Sequence, residues 1–254
     1  MRRLRIQYAS DLHLEKYGKN TIDYSRLLKP IAPVLALAGN IGCPGKKTYR
    51  ELLSYCSRGW DRVFFVAGNR EFYNNRDCDQ WSMKPLVPID TFDQRILQIE
   101  DIASNYPNVE FLNRTRVDYQ GIAFVGASMW VKSIGDDRHI AVDPEGRPAI
   151  LPDITAWGQR DHLWLQATLD ECDQPAVVLT HHPCASTIRS PVHALITGHS
   201  RRASYVCWTC PDIQWGINPR GEPGEKGTGY SRERFLEISR KTDYRDPIMV
   251  AAME

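Results

Sequence analysis

The sequence predicts a layered α/β fold, and three observations carry that prediction. Short, continuous apolar runs recur along the chain, as in strands covered on both faces. Segments with helical periodicity lie between them. Nearly every Asp, Asn and His of chemical interest falls directly after an apolar run, at the carboxyl ends of strands, where layered α/β proteins place their ligands.

The first run, Leu4-Arg5-Ile6-Gln7-Tyr8-Ala9, alternates and stops at Ser10-Asp11-Leu12-His13. Val34-Leu35-Ala36-Leu37-Ala38 stops at Gly39-Asn40, and a helical pattern follows over 49–57. Val63-Phe64-Phe65-Val66-Ala67 stops at Gly68-Asn69-Arg70-Glu71, and a second helix is predicted over 92–105. Strands at 109–112, 116–119 and 122–125 read as a meander, with Tyr119-Gln120-Gly121 turning its last hairpin. Residues 132–156 are rich in Asp, Pro and Gly and read as a surface excursion, as does 218–230; a helix is predicted over 159–172. Ala176-Val177-Val178-Leu179 stops at Thr180-His181-His182-Pro183, and Ala194-Leu195-Ile196-Thr197 at Gly198-His199-Ser200-Arg201. Strand signals continue on both sides of each excursion, so 1–254 is expected to be a single domain.

The 254 residues are 42% hydrophobic and 25% charged, an ordinary globular mix, and the net charge of +1 supplies no field toward nucleic acid or membrane. No run reaches the roughly 18 apolar residues of a membrane span. Seven scattered cysteines suit a reducing compartment, so a cytoplasmic location is expected. Cys207-Trp208-Thr209-Cys210 lacks the second ligand pair of a structural zinc site and reads as ordinary strand or loop cysteines.

Taken singly, each polar loop reads as a turn or a cap, because Gly and Asn accept positive φ. Taken in order, the five loops offer hard oxygen and imidazole donors suited to divalent metals. Asp11-Leu12-His13, Gly39-Asn40, Gly68-Asn69-Arg70-Glu71, His181 and Gly198-His199-Ser200-Arg201 resemble the calcineurin-like metallophosphoesterases, whose pattern runs D-x-H, G-D, G-N-H-[DE], H, G-H-x-H. The resemblance covers nearly the whole chain. Phe111-Leu112-Asn113-Arg114, Thr180-His181-His182-Pro183 and Asn218-Pro219-Arg220-Gly221 are similar to the small bacterial branch of that family.

The resemblance implies a β-sandwich flanked by helices with the site at one edge. It implies one metal held at Asp11, His13, position 40 and position 201, and a second at position 40, Asn69, His181 and His199. It also implies a phosphate contact at position 70. The chain departs at three of these places: Asn40 replaces the bridging acid, Arg70 a histidine, and Arg201 the final histidine. Two dications about 3.5 Å apart repel by roughly 19 kcal/mol at an effective ε of about 20. Asn40 brings no charge against that repulsion, and Arg201 adds to it. The expectation is therefore at most one divalent ion (manganese, iron or zinc), with Asp11, His13, Asn40, Asn69, His181 and His199 as the candidate ligands.

Arg70 and Arg201 are the candidate catalytic and phosphate-binding residues, with His182 as a further substrate-binding candidate, since guanidinium forks match phosphate geometry. The function expected is a pseudoenzyme that binds a phosphorylated small molecule or a protein partner. The alternative is a phosphatase or phosphodiesterase using one metal, with both arginines assisting. His181 and His199 stand only 18 residues apart, with Pro191 between them, so the crossover helix expected there is trimmed or lost.

Overall fold

The computed structural model describes residues 3–17, 22–74, 90–131, 139–184, 188–203 and 213–239. Two five-stranded sheets form the frame. In the first, β1 (Arg3–Ala9), β2 (Val34–Ala38), β3 (Arg62–Val66) and β4 (Val109–Phe111) run parallel, and β10 (Phe235–Ser239) adds antiparallel to the free edge of β1. In the second, β5 (Thr115–Tyr119) is antiparallel to β6 (Ile122–Ala127), and β6, β7 (Ala176–Thr180), β8 (Val192–Thr197) and β9 (Gln214–Ile217) are parallel.

The continuous apolar runs are explained by this layering. In β2, Val34, Ala36 and Ala38 face the second sheet, while Leu35 and Leu37 face a helical layer. Phe64 and Phe124 stack at 4.1 Å between the sheets, and Phe65 packs outward on Phe111 at 5.1 Å. Helices α2 (Lys47–Gly59) and α3 (Phe92–Ser104) cover the outer face of the first sheet. Helix α4 (Leu151–Asp170) covers that of the second, through Leu165 and Leu169. A short helix, α1 (Tyr24–Leu27), lies between β1 and β2. The result is the β-sandwich flanked by helices that the motifs implied. No helix among the described residues is long and apolar enough to cross a membrane.

Three expectations need correction. The predicted meander is split between sheets: β4 pairs with β3, and only the β5–β6 hairpin remains. Leu112 makes the division. It is fully buried between the sheets, its N–H bonds the Phe65 carbonyl at 2.7 Å, and its side chain packs against Gly126. Second, the excursion predicted at 132–156 ends early, because α4 begins at Leu151. Pro152, which suggested a loop, sits in the first helical turn, where its missing N–H has no intrahelical partner to lose. Trp157, in the second turn, stacks on Phe92 at 3.8 Å, which ties α4 to α3. Third, strands β9 and β10 were not anticipated, as each is short and half-exposed. The step from His181 to His199 contains no helix among its described residues. Cys207 and Cys210 lie outside the described residues.

Parallel register brings the strand ends to one level. Ala9 pairs with Leu37, and Leu37 with Phe65, so the loops after β1, β2 and β3 open side by side. Thr180 pairs with Thr197 in the second sheet, which sets His181 and His199 at the same edge.

Candidate functional site

The loops at this edge turn sharply and pack without slack. Asp11, His13, Asn40 and His199 all adopt left-handed backbone conformations, with φ between 50° and 55°. Clusters of such strained residues are characteristic of ligand sites. Gly39, at φ 77°, passes so close to His181 that an added Cβ would sit 2.6 Å from its Nδ1. Gly198 crowds the same ring, with a hypothetical Cβ 2.8 Å from Nδ1. The imidazole of His181 is thus boxed in by backbone.

Glu71 ties two of these loops together. It is fully buried, and its carboxylate accepts from the N–H groups of Asn40 (2.9 Å), Ile41 (2.6 Å) and Gly68 (2.8 Å). Burial pushes its pKa up to about 8, while the amides favour the anion. Asn40, held in this way, uses both ends of its amide. Its Oδ1 accepts the Arg70 N–H at 2.9 Å, and its Nδ2 donates to Asp11 Oδ1 at 3.1 Å. Asp11 Oδ2 also accepts the His199 N–H at 3.2 Å, and burial raises the Asp11 carboxyl to about 6. His13 bonds Glu15 through Nδ1 at 3.2 Å. Burial works against the Glu15 anion, but His13 and Arg70 hold its carboxyl below the usual range.

The histidines form the other half of the site. His181 is fully buried, and its Nδ1–H donates to the Ala38 carbonyl at 2.9 Å, which leaves a lone pair on Nε2. That Nε2 faces Asn69 Oδ1 at 3.2 Å and His199 Nδ1 at 3.3 Å. Asn69 is oriented by its own Nδ2, which donates to Tyr73 Oη at 2.8 Å. His182 is also buried, its Nδ1 donating to the Ser128 carbonyl at 3.2 Å. Burial holds the pKa of His181 well below the ordinary value and that of His182 at about 3; burial and Arg70 together lower His199. One ligand atom from each of His181, His182 and His199 falls within 4.8 Å of the others.

Above these residues opens a cleft of about 670 Å³, walled by Asp11, His13, Asn40, Asn69, His199 and both arginines. Arg201 is exposed at its rim. Arg70 is half-buried and engaged: its guanidinium lies 3.5 Å from Glu222, 3.9 Å from Glu15 and over the Tyr73 ring. His182, expected among the substrate-binding residues, does not line the cleft. It is buried behind the wall, with its ring 5.4 Å from Trp130 and its Nδ1 on the Ser128 carbonyl. The remaining sequence-predicted residues come together at one edge.

Three acids escaped the sequence reading. Glu15 stands two residues beyond His13, but it is the 3-10 turn at Leu14–Lys16 that lets it reach the His13 ring, and spacing alone does not encode that turn. Glu71 had been part of a motif without a role. Glu222 comes from the 218–230 excursion, far away in sequence, and carried no local sign of its position.

As a metal site the two halves differ. His181 Nε2 and Asn69 Oδ1 are both acceptors, and their approach without a hydrogen between them suits a shared cation. The orientation of His181 by a backbone carbonyl is the usual outer support of a metal-bound imidazole. Around Asp11, by contrast, Asn40 donates an amide N–H to Asp11 Oδ1 at 3.1 Å and brings no negative charge to offset a cation.

No protein-family model matches the chain. Uncharacterized protein L509 of Acanthamoeba polyphaga mimivirus is 30% identical over 198 residues, covering 70% of this chain and 67% of that protein. Among solved structures, the phosphopantetheinyl hydrolase PptH from Mycobacterium tuberculosis superposes with a TM-score of 0.59 at 16% identity, covering 95% of this chain and 98% of that one. The chain therefore belongs to the family of mimivirus protein L509, and its two-sheet architecture is the calcineurin-like metallophosphoesterase fold.

Proposed function

We propose that this protein binds a phosphorylated ligand through one divalent cation and the guanidinium groups of Arg70 and Arg201. The observation that carries this reading is the convergence of His181 Nε2, Asn69 Oδ1 and His199 Nδ1 beneath a cleft walled by both arginines. His181, Asn69 and His199 would hold the ion. When bound, it supplies Lewis acidity and positive charge toward a phosphoryl oxygen. Asn40 and Arg201 argue against a second ion, since neither offsets the repulsion between two dications.

The chain's own residues do the rest. Arg201 offers an exposed fork at the rim, and Arg70 offers a fork already aimed across the cleft by Glu15 and Tyr73. To reach a phosphate, Arg70 exchanges its contact with Glu222, a half-exposed side chain that Lys16 also approaches at 4.0 Å. That exchange makes anion binding weaker than two unpaired arginines would give, and it makes the ion more important.

Hydrolysis is the second reading. It is favoured by the neutral donor set, which leaves the full charge of the ion to act on a phosphoryl group, and by the fold neighbour being a hydrolase. Both readings are tested by calorimetric titration with inorganic phosphate, with and without one equivalent of zinc or manganese. Phosphate binding should require the metal and weaken at least tenfold in Arg70→Ala/Arg201→Ala, since a charge-assisted hydrogen bond is worth about 1.5–3 kcal/mol. Equal binding without metal, or in the double variant, would overturn the proposal. Metal-dependent turnover of p-nitrophenyl phosphate by the unmodified chain decides for hydrolysis.

A further inference from the structure

We infer that His182 is a metal ligand, so that the ion is held by the three imidazoles of His181, His182 and His199 with Asn69 as the oxygen donor. The inference rests on the single-cation reading above and extends it, because the family pattern places no ligand at position 182.

His182 Nε2 is buried and has no hydrogen-bond partner, although the same ring donates through Nδ1 to Ser128. Burying an imidazole nitrogen unpaired costs about 1–3 kcal/mol, and native structures rarely leave one so without a reason. Packing does not supply the reason. An apolar ring would fill the space beside Trp130 with no such cost, and the lone pair does not face Trp130 alone. The ring stands 4.5 Å from that of His199 and 4.8 Å from that of His181, centroid to centroid, and one ligand atom from each of the three lies within 4.8 Å of the others.

The two neighbouring histidines are prepared in the same way. Each donates Nδ1–H to a main-chain carbonyl, His181 to Ala38 and His182 to Ser128, and each thereby fixes its lone pair on Nε2. This is the outer-shell arrangement that orients ligating imidazoles. Ser128 is itself fixed, its hydroxyl donating to the Ala67 carbonyl at 2.7 Å, and the next residue, Met129, donates its N–H to buried Asp161 at 3.0 Å. His182 is thus held from behind by α4.

Ligands of one tetrahedral ion stand about 3.4 Å apart. One ligand atom from each of the three lies within 4.8 Å of the others, so the widest pair closes to that spacing with at most about 1.4 Å of movement, and His199 is the exposed ring of the three. A set of three neutral nitrogens and one amide oxygen suits zinc or ferrous iron better than magnesium, which prefers all-oxygen shells. The third imidazole also compensates for Asn40, which has neither the charge nor the free oxygen to serve as the ligand that the family pattern has there.

The test is zinc K-edge X-ray absorption on the intact protein loaded with one equivalent of zinc. Scattering from three imidazoles is expected. His182→Gln, checked for folding by circular dichroism, should lose one imidazole and bind zinc at least tenfold more weakly in competition with a chromophoric chelator. Two imidazoles in the unmodified protein, with unchanged affinity in His182→Gln, would overturn the inference and leave the single-cation reading standing. Failure of the unmodified protein to retain zinc at all would overturn both.

Discussion

Gly198→Ala is the most informative single-atom perturbation, because the whole site leans on the ring of His181. The φ of Gly198 lies outside the left-handed region that disfavours side chains, so alanine acts there chiefly through space. Its Cβ would overlap the Ala38 carbonyl oxygen and stand 2.8 Å from His181 Nδ1 and 3.1 Å from Ser10 Cβ. It would therefore drive into the hydrogen bond that sets the tautomer of His181. None of the three neighbours moves freely: Ala38 ends β2 in register with Val66, and His181 is fully buried. Overpacking costs about 1–3 kcal/mol, and the lost hydrogen bond adds about 1 kcal/mol. For a chain of this size that total lowers Tm by roughly 5–15 °C. Disturbing the outer support of a ligating imidazole lowers metal affinity by about 10–100-fold. Thermal unfolding and zinc competition, run side by side, read both effects. Gly227→Ala is the control, since nothing lies within 4 Å of its Cβ and it is not among the residues that wall the cleft; its φ of 79° costs some stability without crowding His181. Zinc affinity in Gly198→Ala within twofold of the unmodified protein would refute the claim that His181 is held for a metal.

Four further outcomes are expected. Glu71→Gln turns an amide N–H toward backbone donors that now meet a carboxylate, and it should lower stability by about 2–4 kcal/mol in urea unfolding while loosening the Asn40 and Asn69 loops. His182, held at about 3 by burial, is neutral when folded and gains a proton on unfolding below its ordinary 6.5. The unfolded chain then binds more protons, so stability falls as pH drops from 6.5 toward 3, and the fall in Tm between pH 7.5 and 5 should be smaller in His182→Gln. Asn40→Asp with Arg201→His restores a bridging acid and a ligand, and only the pair together should raise manganese occupancy and p-nitrophenyl phosphate hydrolysis. Asn40→Asp alone places a carboxylate beside Asp11, where an amide now donates at 3.1 Å, and should destabilise the metal-free protein.

Much of this site was legible because strand ends in a parallel sheet carry function in a fixed place. Each apolar run stopped where its ladder stops, so Asp11, Asn40, Asn69, His181 and His199 could be gathered before any coordinates. The glycines were legible too, though their physical task, crowding His181, emerges only in three dimensions. Pairing was less readable. Val109–Phe111 and Thr115–Tyr119 carry similar strand signals, and only the burial of Leu112 shows that the chain changes sheets between them. Arg70 illustrates the limit most clearly. Its position in the cleft followed from the loop it occupies, but its engagement by Glu222 depends on a contact across 152 residues of chain that no local pattern encodes. His182 read as a substrate-binding candidate beside His181, whereas its ring is fully buried and packs against Trp130.

The count of bound ions tests the account most directly. Crystals grown with excess zinc or manganese and measured at the absorption edge of each metal should show one anomalous peak per chain, within bonding distance of His181, His199 and Asn69. A second peak at Asp11 and His13 would contradict the argument from Asn40 and Arg201, and the absence of any peak at the histidines would contradict the central claim itself.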